Sequence, residues 1–106
     1  MGFFDFLKRP DMEQGLQEYR SDPGAVLLDV RSTMEYREGH IPNSINLPVD
    51  NIRSAPSVLK DPDAPLYVYC YSGARSAHAA RVLASMGYRK VKNIGGIASY
   101  SGPVES

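Results

Sequence analysis

"PLYVYCYSGARSAHAARVLASMGY" (residues 65–88) carries the chain's single cysteine, Cys70, at the junction of two different patterns. Leu66 to Tyr69 are apolar or aromatic without a break, the composition of a strand covered on both faces, as in a parallel sheet. From Ala74 onward alanines dominate. Leu83 and Met86 are spaced for one buried helical stripe, and Gly87 stands where a helix C-terminus favours glycine. A strand that passes into a helix across a short turn predicts an α/β domain. It also puts the thiol at the carboxyl end of a strand, where open parallel sheets bind their ligands.

The flanking sequence repeats the alternation. "DMEQGLQEYRSD" (11–22) reads as a helix with Asp11 as N-cap and Met12, Leu16 and Tyr19 on one side. "PGAVLLDV" (23–30) turns and becomes a strand with a continuous apolar run. "STMEYREGH" (32–40) opens with Ser32 and places Glu35 at the third position, the capping-box pattern, and ends at Gly39. "SINLP" (44–48) is a short strand. "VDNIRSAPSVL" (49–59) is helical but broken at Pro56. "KVKNI" (90–94) is a last strand and "GGIASY" (95–100) a final helical turn. Strands alternating with helices predict a doubly wound, mostly parallel sheet flanked by helices.

Bulk properties narrow the function. With 106 residues the chain makes one domain, and it can bury a core without staples. Twelve basic and twelve acidic residues balance, so no basic surface argues for nucleic acid. One cysteine forms no internal disulfide, and with two separated histidines it makes no zinc site. An unpaired thiol fits a reducing compartment and predicts a cytoplasmic protein. "MGFFDFLKRP" is apolar but too short to span a bilayer, and its basic residues follow the apolar part, the reverse of a signal peptide. Phe6 stands where a myristoylation motif needs Ser or Thr. Residues 1–10 therefore read as a short arm on a single domain of residues 11–106. Packing of the arm onto the domain and contact with a membrane surface or partner are both open.

The turn after Cys70 has its own chemistry. A strand-to-helix turn exposes backbone N–H groups with no partner inside the helix, and the helix dipole adds about half a positive charge at the same place. Gly73 permits positive φ and close approach, and Arg75 adds a permanent charge with a forked set of donors. A thiol set among these groups favours its anion, the reactive form. The loop Cys70, Tyr71, Ser72, Gly73, Ala74, Arg75 is thus a candidate nucleophile inside an anion cradle. Burial as an inert core cysteine is the bland alternative.

Four segments together resemble the single-domain rhodanese family: "DVR" (29–31), "GHIPNSINLP" (39–48), the Cys-x-x-Gly-x-Arg-Ser loop (70–76) and "GG" (95–96). The resemblance covers residues 26–104. It implies a rhodanese fold and sulfur transfer through a persulfide on Cys70, with Arg75 as the anion-binding end of the loop, Tyr71 to Ala74 as backbone donors and Ser76 in support. It implies no cofactor and no metal. The partners it implies are a small sulfur-donor anion or a persulfide, and an external thiol, thiol protein or cyanide as acceptor. Two positions depart from the family pattern. Tyr71 stands where active relatives often carry a basic residue, which counts against thiosulfate as the preferred donor. Tyr100 stands near the place of a tryptophan, as a packing substitute.

Other polar residues have structural readings. Asp29 and Arg31 form an ion pair that fixes a neighbouring loop, or else touch the site. His40 braces its turn, and His78 lies on the surface. Two alternative functions stay open: a non-catalytic binding module on the same fold, and a cysteine-dependent phosphatase. The phosphatase loop needs one more residue between Cys and Arg to ring a tetrahedral phosphoryl group.

Overall fold

The computed structural model describes residues 11–106; the expected arm, residues 1–10, lies outside them. Four strands form one sheet: β1 (Val26–Asp29), β2 (Ile45–Asn46), β3 (Leu66–Cys70) and β4 (Val91–Gly96). Their order is β2-β1-β3-β4 and every pairing is parallel. The chain steps outward from β1 to β2, then crosses back to β3 and β4. The carboxyl ends of β1 and β3 therefore flank the point where the connections diverge, which is where such sheets bind ligands.

Side chains sort by the period of two. Leu28, Leu66, Val68 and Cys70 face a core completed by Ala79 and Leu83 of helix α3 (Ala74–Ser85) and by Ile52 and Ala55 of a 3₁₀ segment, Val49–Ser57. Leu27, Tyr67, Tyr69 and Ile94 face the opposite layer, where helix α1 (Met12–Arg20) contributes Met12 and Leu16. All five residues of β3 are buried. Burial on both faces is the reason the strand reads as an unbroken apolar run.

The helix starts follow local hydrogen-bonding chemistry. Asp11 accepts hydrogen bonds from the backbone N–H groups of Glu13 and Gln14 at 3.1 and 3.3 Å. Helix α2 (Thr33–Glu38) carries the complete capping box: Ser32 Oγ accepts from Glu35 N, and the Glu35 carboxylate accepts from Ser32 N. Gly87 follows α3 at φ 108°. The expected break at Pro56 is displaced. The 3₁₀ segment bends at Asn51 (φ −111°, ψ 17°), and Pro56 stays inside it. Asn51's carbonyl accepts from the Ser54 hydroxyl at 2.7 Å.

β4 carries an irregularity that matters for the site. Val68 pairs with Asn93 and Tyr69 with Gly95, so Ile94 is an extra residue on its strand. The bulge is accommodated by Gly95 at φ 105°. Helix α1 closes over it through Gly15, where a Cβ would lie 2.5 Å from Ile94 Cβ.

Candidate active site

Cys70 ends β3 with its side chain in the layer under α3, and it is 1% exposed. The chain turns through Tyr71 and Ser72 into Gly73, the N-cap of α3, at φ 106° and ψ −12°. That left-handed conformation turns the Gly73 N–H back to the sulfur, 3.0 Å away. Ser76 Oγ lies 3.4 Å from Sγ. Burial pushes the thiol pKa up. The Ser76 hydroxyl and the backbone N–H groups of Ser76, Gly73 and Ser72 outweigh it, and the net direction is down.

Ala74 and Arg75 belong to the first turn of α3, and the backbone N–H groups that lower the thiol pKa are those of Ser76, Gly73 and Ser72. The Tyr71 carbonyl accepts from Ala98 N at 3.0 Å, and the Tyr71 ring is exposed. Arg75 does not point a free fork at the sulfur. Its Nη1 and Nη2 donate to Oε1 and Oε2 of Glu35 at 2.8 and 3.0 Å. Arg75's hydrogen bonds hold the Glu35 carboxyl down at about 2. The sequence identified Glu35 as a helix cap; its second task was hidden because its partner is remote along the chain.

A polar network lies behind the loop. Ser76 Oγ is 2.7 Å from Asn93 Oδ1, which also accepts from Gly95 N at 3.0 Å, while Asn93 Nδ2 donates to Gly73 O at 3.3 Å. Asn93 ties the bulge of β4 to the N-cap of α3, a role with no local sequence signal. Ser76 has one hydroxyl proton, placed between Asn93 Oδ1 and the sulfur, and its removal takes away the side-chain donor that can turn to the ionised sulfur. In Ser76→Ala the alkylation rate of Cys70 by iodoacetamide, followed against pH, should shift its midpoint upward and slow several-fold near neutral pH. An unshifted midpoint would leave the thiolate to the backbone alone.

The paired glycines have a steric reason. A Cβ on Gly96 would stand 2.1 Å from Tyr71 O and 2.6 Å from Ser72 Cα, both backbone atoms of the loop. Gly96→Ala must therefore push the loop away from β4. Overpacking of this kind costs about 1–3 kcal/mol, and the displaced N–H groups should also slow alkylation of Cys70. Calorimetric unfolding with the same alkylation assay checks both effects; a variant with wild-type stability and reactivity would show that the loop yields freely.

Comparison with known proteins agrees with this geometry. The family model of the rhodanese-like domain matches residues 12–102. The chain belongs to the rhodanese family. It is 40% identical over 88 residues to the thiosulfate sulfurtransferase GlpE of Pseudomonas savastanoi pv. phaseolicola, covering 82% of this chain and 77% of the relative. It is 34% identical over 95 residues to YrkF of Bacillus subtilis, named as a candidate sulfur carrier protein; the match covers 89% of this chain and about half of YrkF, 51%. Among solved structures, a rhodanese with anions from E. coli superposes with a TM-score of 0.71 at 29% identity, covering 77% of this chain and 98% of that one.

The remaining polar residues of this rhodanese domain are held by contacts with their neighbours. Asp29 is fully buried and accepts from Arg31 Nε at 3.0 and 3.1 Å, from Nη2 at 2.7 Å and from the Arg31 backbone N at 2.9 Å. Arg31 Nη2 also donates to Gly39 O at 2.7 Å, and the guanidinium lies 5.8 Å from the centre of the Tyr69 ring. Burial draws the Arg31 pKa down, and the Asp29 contacts more than reverse it, so it is raised. The pair thus locks the end of β1 to the turn before His40. His40 stacks on Tyr36 at 3.6 Å, and its Nδ1 is 2.8 Å from Tyr36 O, as a brace for the turn. His78 is exposed. Tyr100 packs on the α1 layer and donates its hydroxyl to Pro103 O. Among the described residues no helix is long and apolar enough to cross a membrane.

Proposed function

We propose that this rhodanese domain moves a sulfane sulfur from thiosulfate or a persulfide donor to a thiol or cyanide acceptor, through a persulfide on Cys70. The observation that carries this reading is the sulfur at the carboxyl end of β3 with Gly73 N–H at 3.0 Å and the Ser76 hydroxyl beside it. These donors favour the thiolate. They remain in place for the outer sulfur of a persulfide, whose negative charge would lie one bond further into the loop.

The steps balance without a cofactor. The Cys70 thiolate attacks the outer sulfur of the donor, a new S–S bond forms, and the old one breaks with its electron pair leaving on sulfite or on the donor thiolate. An acceptor thiolate or cyanide then attacks the outer sulfur of the Cys70 persulfide. That bond breaks, Cys70 leaves as thiolate, and the product is a new persulfide or thiocyanate. The chain has one cysteine, so the accepting thiol comes from outside it. A concavity of about 520 Å³ lies between the loop and the end of β4, lined by Tyr71, Ser72, Gly73, Asn93 and Gly96 among others; Cys70 is not in its lining. A thiol with no internal partner suits a reducing compartment, which supports a cytoplasmic setting.

Intact mass after incubation with thiosulfate or a persulfide donor tests the reading. The expected result is a gain of one sulfur atom, removed again by cyanide. A mass unchanged by every donor would overturn it and favour a binding role for the fold.

A further inference from the structure

We propose that Glu35 sets the donor class of the loop: by filling the fork of Arg75 it withdraws the loop's cation from anion binding, and so directs the domain to persulfides with an uncharged or protein tail rather than to small anions such as thiosulfate. This rests on the sulfur-transfer reading above, which leaves the donor open.

Three observations carry it. Arg75 is the only cation among residues 70–76, and Tyr71, beside the cysteine, brings no charge. The guanidinium of Arg75 is engaged by both carboxylate oxygens of Glu35, in the paired-fork geometry that a thiosulfate sulfonate would itself have to use. The carboxylate is held from the other side as well. Its Oε1 accepts from Ser32 N at 2.9 Å as half of the capping box of α2, so it cannot swing away without exposing a helix end. An anionic donor that takes this paired edge of Arg75 must therefore displace a carboxylate that is anchored twice. The backbone N–H groups at Cys70 are unaffected by the pair; they still receive a transferred sulfur whose tail needs no cation.

Glu35→Gln is a clean test because glutamine retains the capping box and loses the charge. Two ratios read the effect: alkylation of Cys70 by iodoacetate, an anion, relative to iodoacetamide, its neutral counterpart; and kcat/KM for thiosulfate relative to a persulfide with an uncharged tail. In Glu35→Gln both ratios should rise about tenfold, the worth of one charge-assisted contact released to the anion. In the double variant Glu35→Gln/Arg75→Gln, where both charges go together, the ratios should stay within about twofold of wild type. Unchanged ratios in Glu35→Gln, or a fall of about tenfold in the double variant, would show that Arg75 already serves anions through the pair and would overturn the proposal. Either variant decides alone if the other fails to fold. The alkylation ratio needs no turnover, so it stands if sulfur transfer itself is not found; conversely, a sulfur-loaded Cys70 with a flat ratio sinks this inference and leaves the transfer reading intact.

Discussion

Cys70→Ser should bring sulfur transfer to the uncatalysed level while the domain stays folded. Serine keeps nearly the same volume in a position that is 1% exposed, where a larger or smaller side chain would disturb the layer under α3. The Gly73 N–H that now points at sulfur can donate to the hydroxyl oxygen instead, so no buried donor is left without a partner. The chemistry, however, is lost. A hydroxyl stays protonated near neutral pH even among these donors, and oxygen does not carry a sulfane sulfur. Thiocyanate production from thiosulfate and cyanide should fall to the background rate, and the mass gain of one sulfur should vanish, with a thermal midpoint close to wild type. Turnover above background in a folded serine variant would place the reaction elsewhere on the domain.

The largest loss of stability should follow Asp29→Asn. Asp29 and Arg31 are both buried, with side chains 0% and 6% exposed, and among the described residues the Asp29 carboxylate is the one acidic group in an ion pair with that guanidinium. Asparagine fills the same space but turns one oxygen into a donor facing the donors of Arg31. The guanidinium then keeps Gly39 O and loses its counter-charge. Removing one member of a buried ion pair costs about 3–5 kcal/mol, a large part of the total for a domain of this size. The thermal midpoint should drop by at least about 10 °C. Replacing the pair together, as Asp29→Leu/Arg31→Met, should recover part of the loss, since two apolar side chains leave no charge stranded. A drop under about 1 kcal/mol for Asp29→Asn would mean that water reaches the pair and screens it as it does at a surface.

The parts legible in the sequence are those governed by neighbours. The capping box at Ser32 and Glu35, the Asp11 cap, the unbroken apolar β3 and the glycine after α3 each depend on residues within a few positions. Cys70 and Gly73 were legible for the same reason, since strand, turn and helix start are contiguous. What was not legible depends on residues brought together by the sheet. Glu35 meets Arg75 only because α2 and the start of α3 lie at the same end of the sheet. Asn93 reaches Ser76 only because β4 bulges. The glycines at 95 and 96 were visible as a motif, but their reasons were not: Gly95 takes a positive φ at the bulge, and Gly96 makes room for the loop that passes over it. The engagement of Arg75 was hidden for the same reason: an arginine at the far end of the loop is conspicuous in sequence, while the carboxylate that holds its fork is not.

The placement of β3 has a consequence for the order of assembly. Its partners are remote in sequence: Val26 pairs with Leu66 on one side, and Leu66 with Val91 on the other. Pairings of this kind close late, because the entropy of long loops is lost before the contacts form. The turn that follows β3 is shaped by β4 through Gly96 and Asn93, so it matures only once the last strand has docked. Until then Cys70 is an ordinary thiol on an unfinished chain. The donors that lower its pKa are thus assembled late in folding, and a rise in the alkylation rate during a refolding time course is expected to coincide with the final kinetic phase, as a built-in report that the domain is complete.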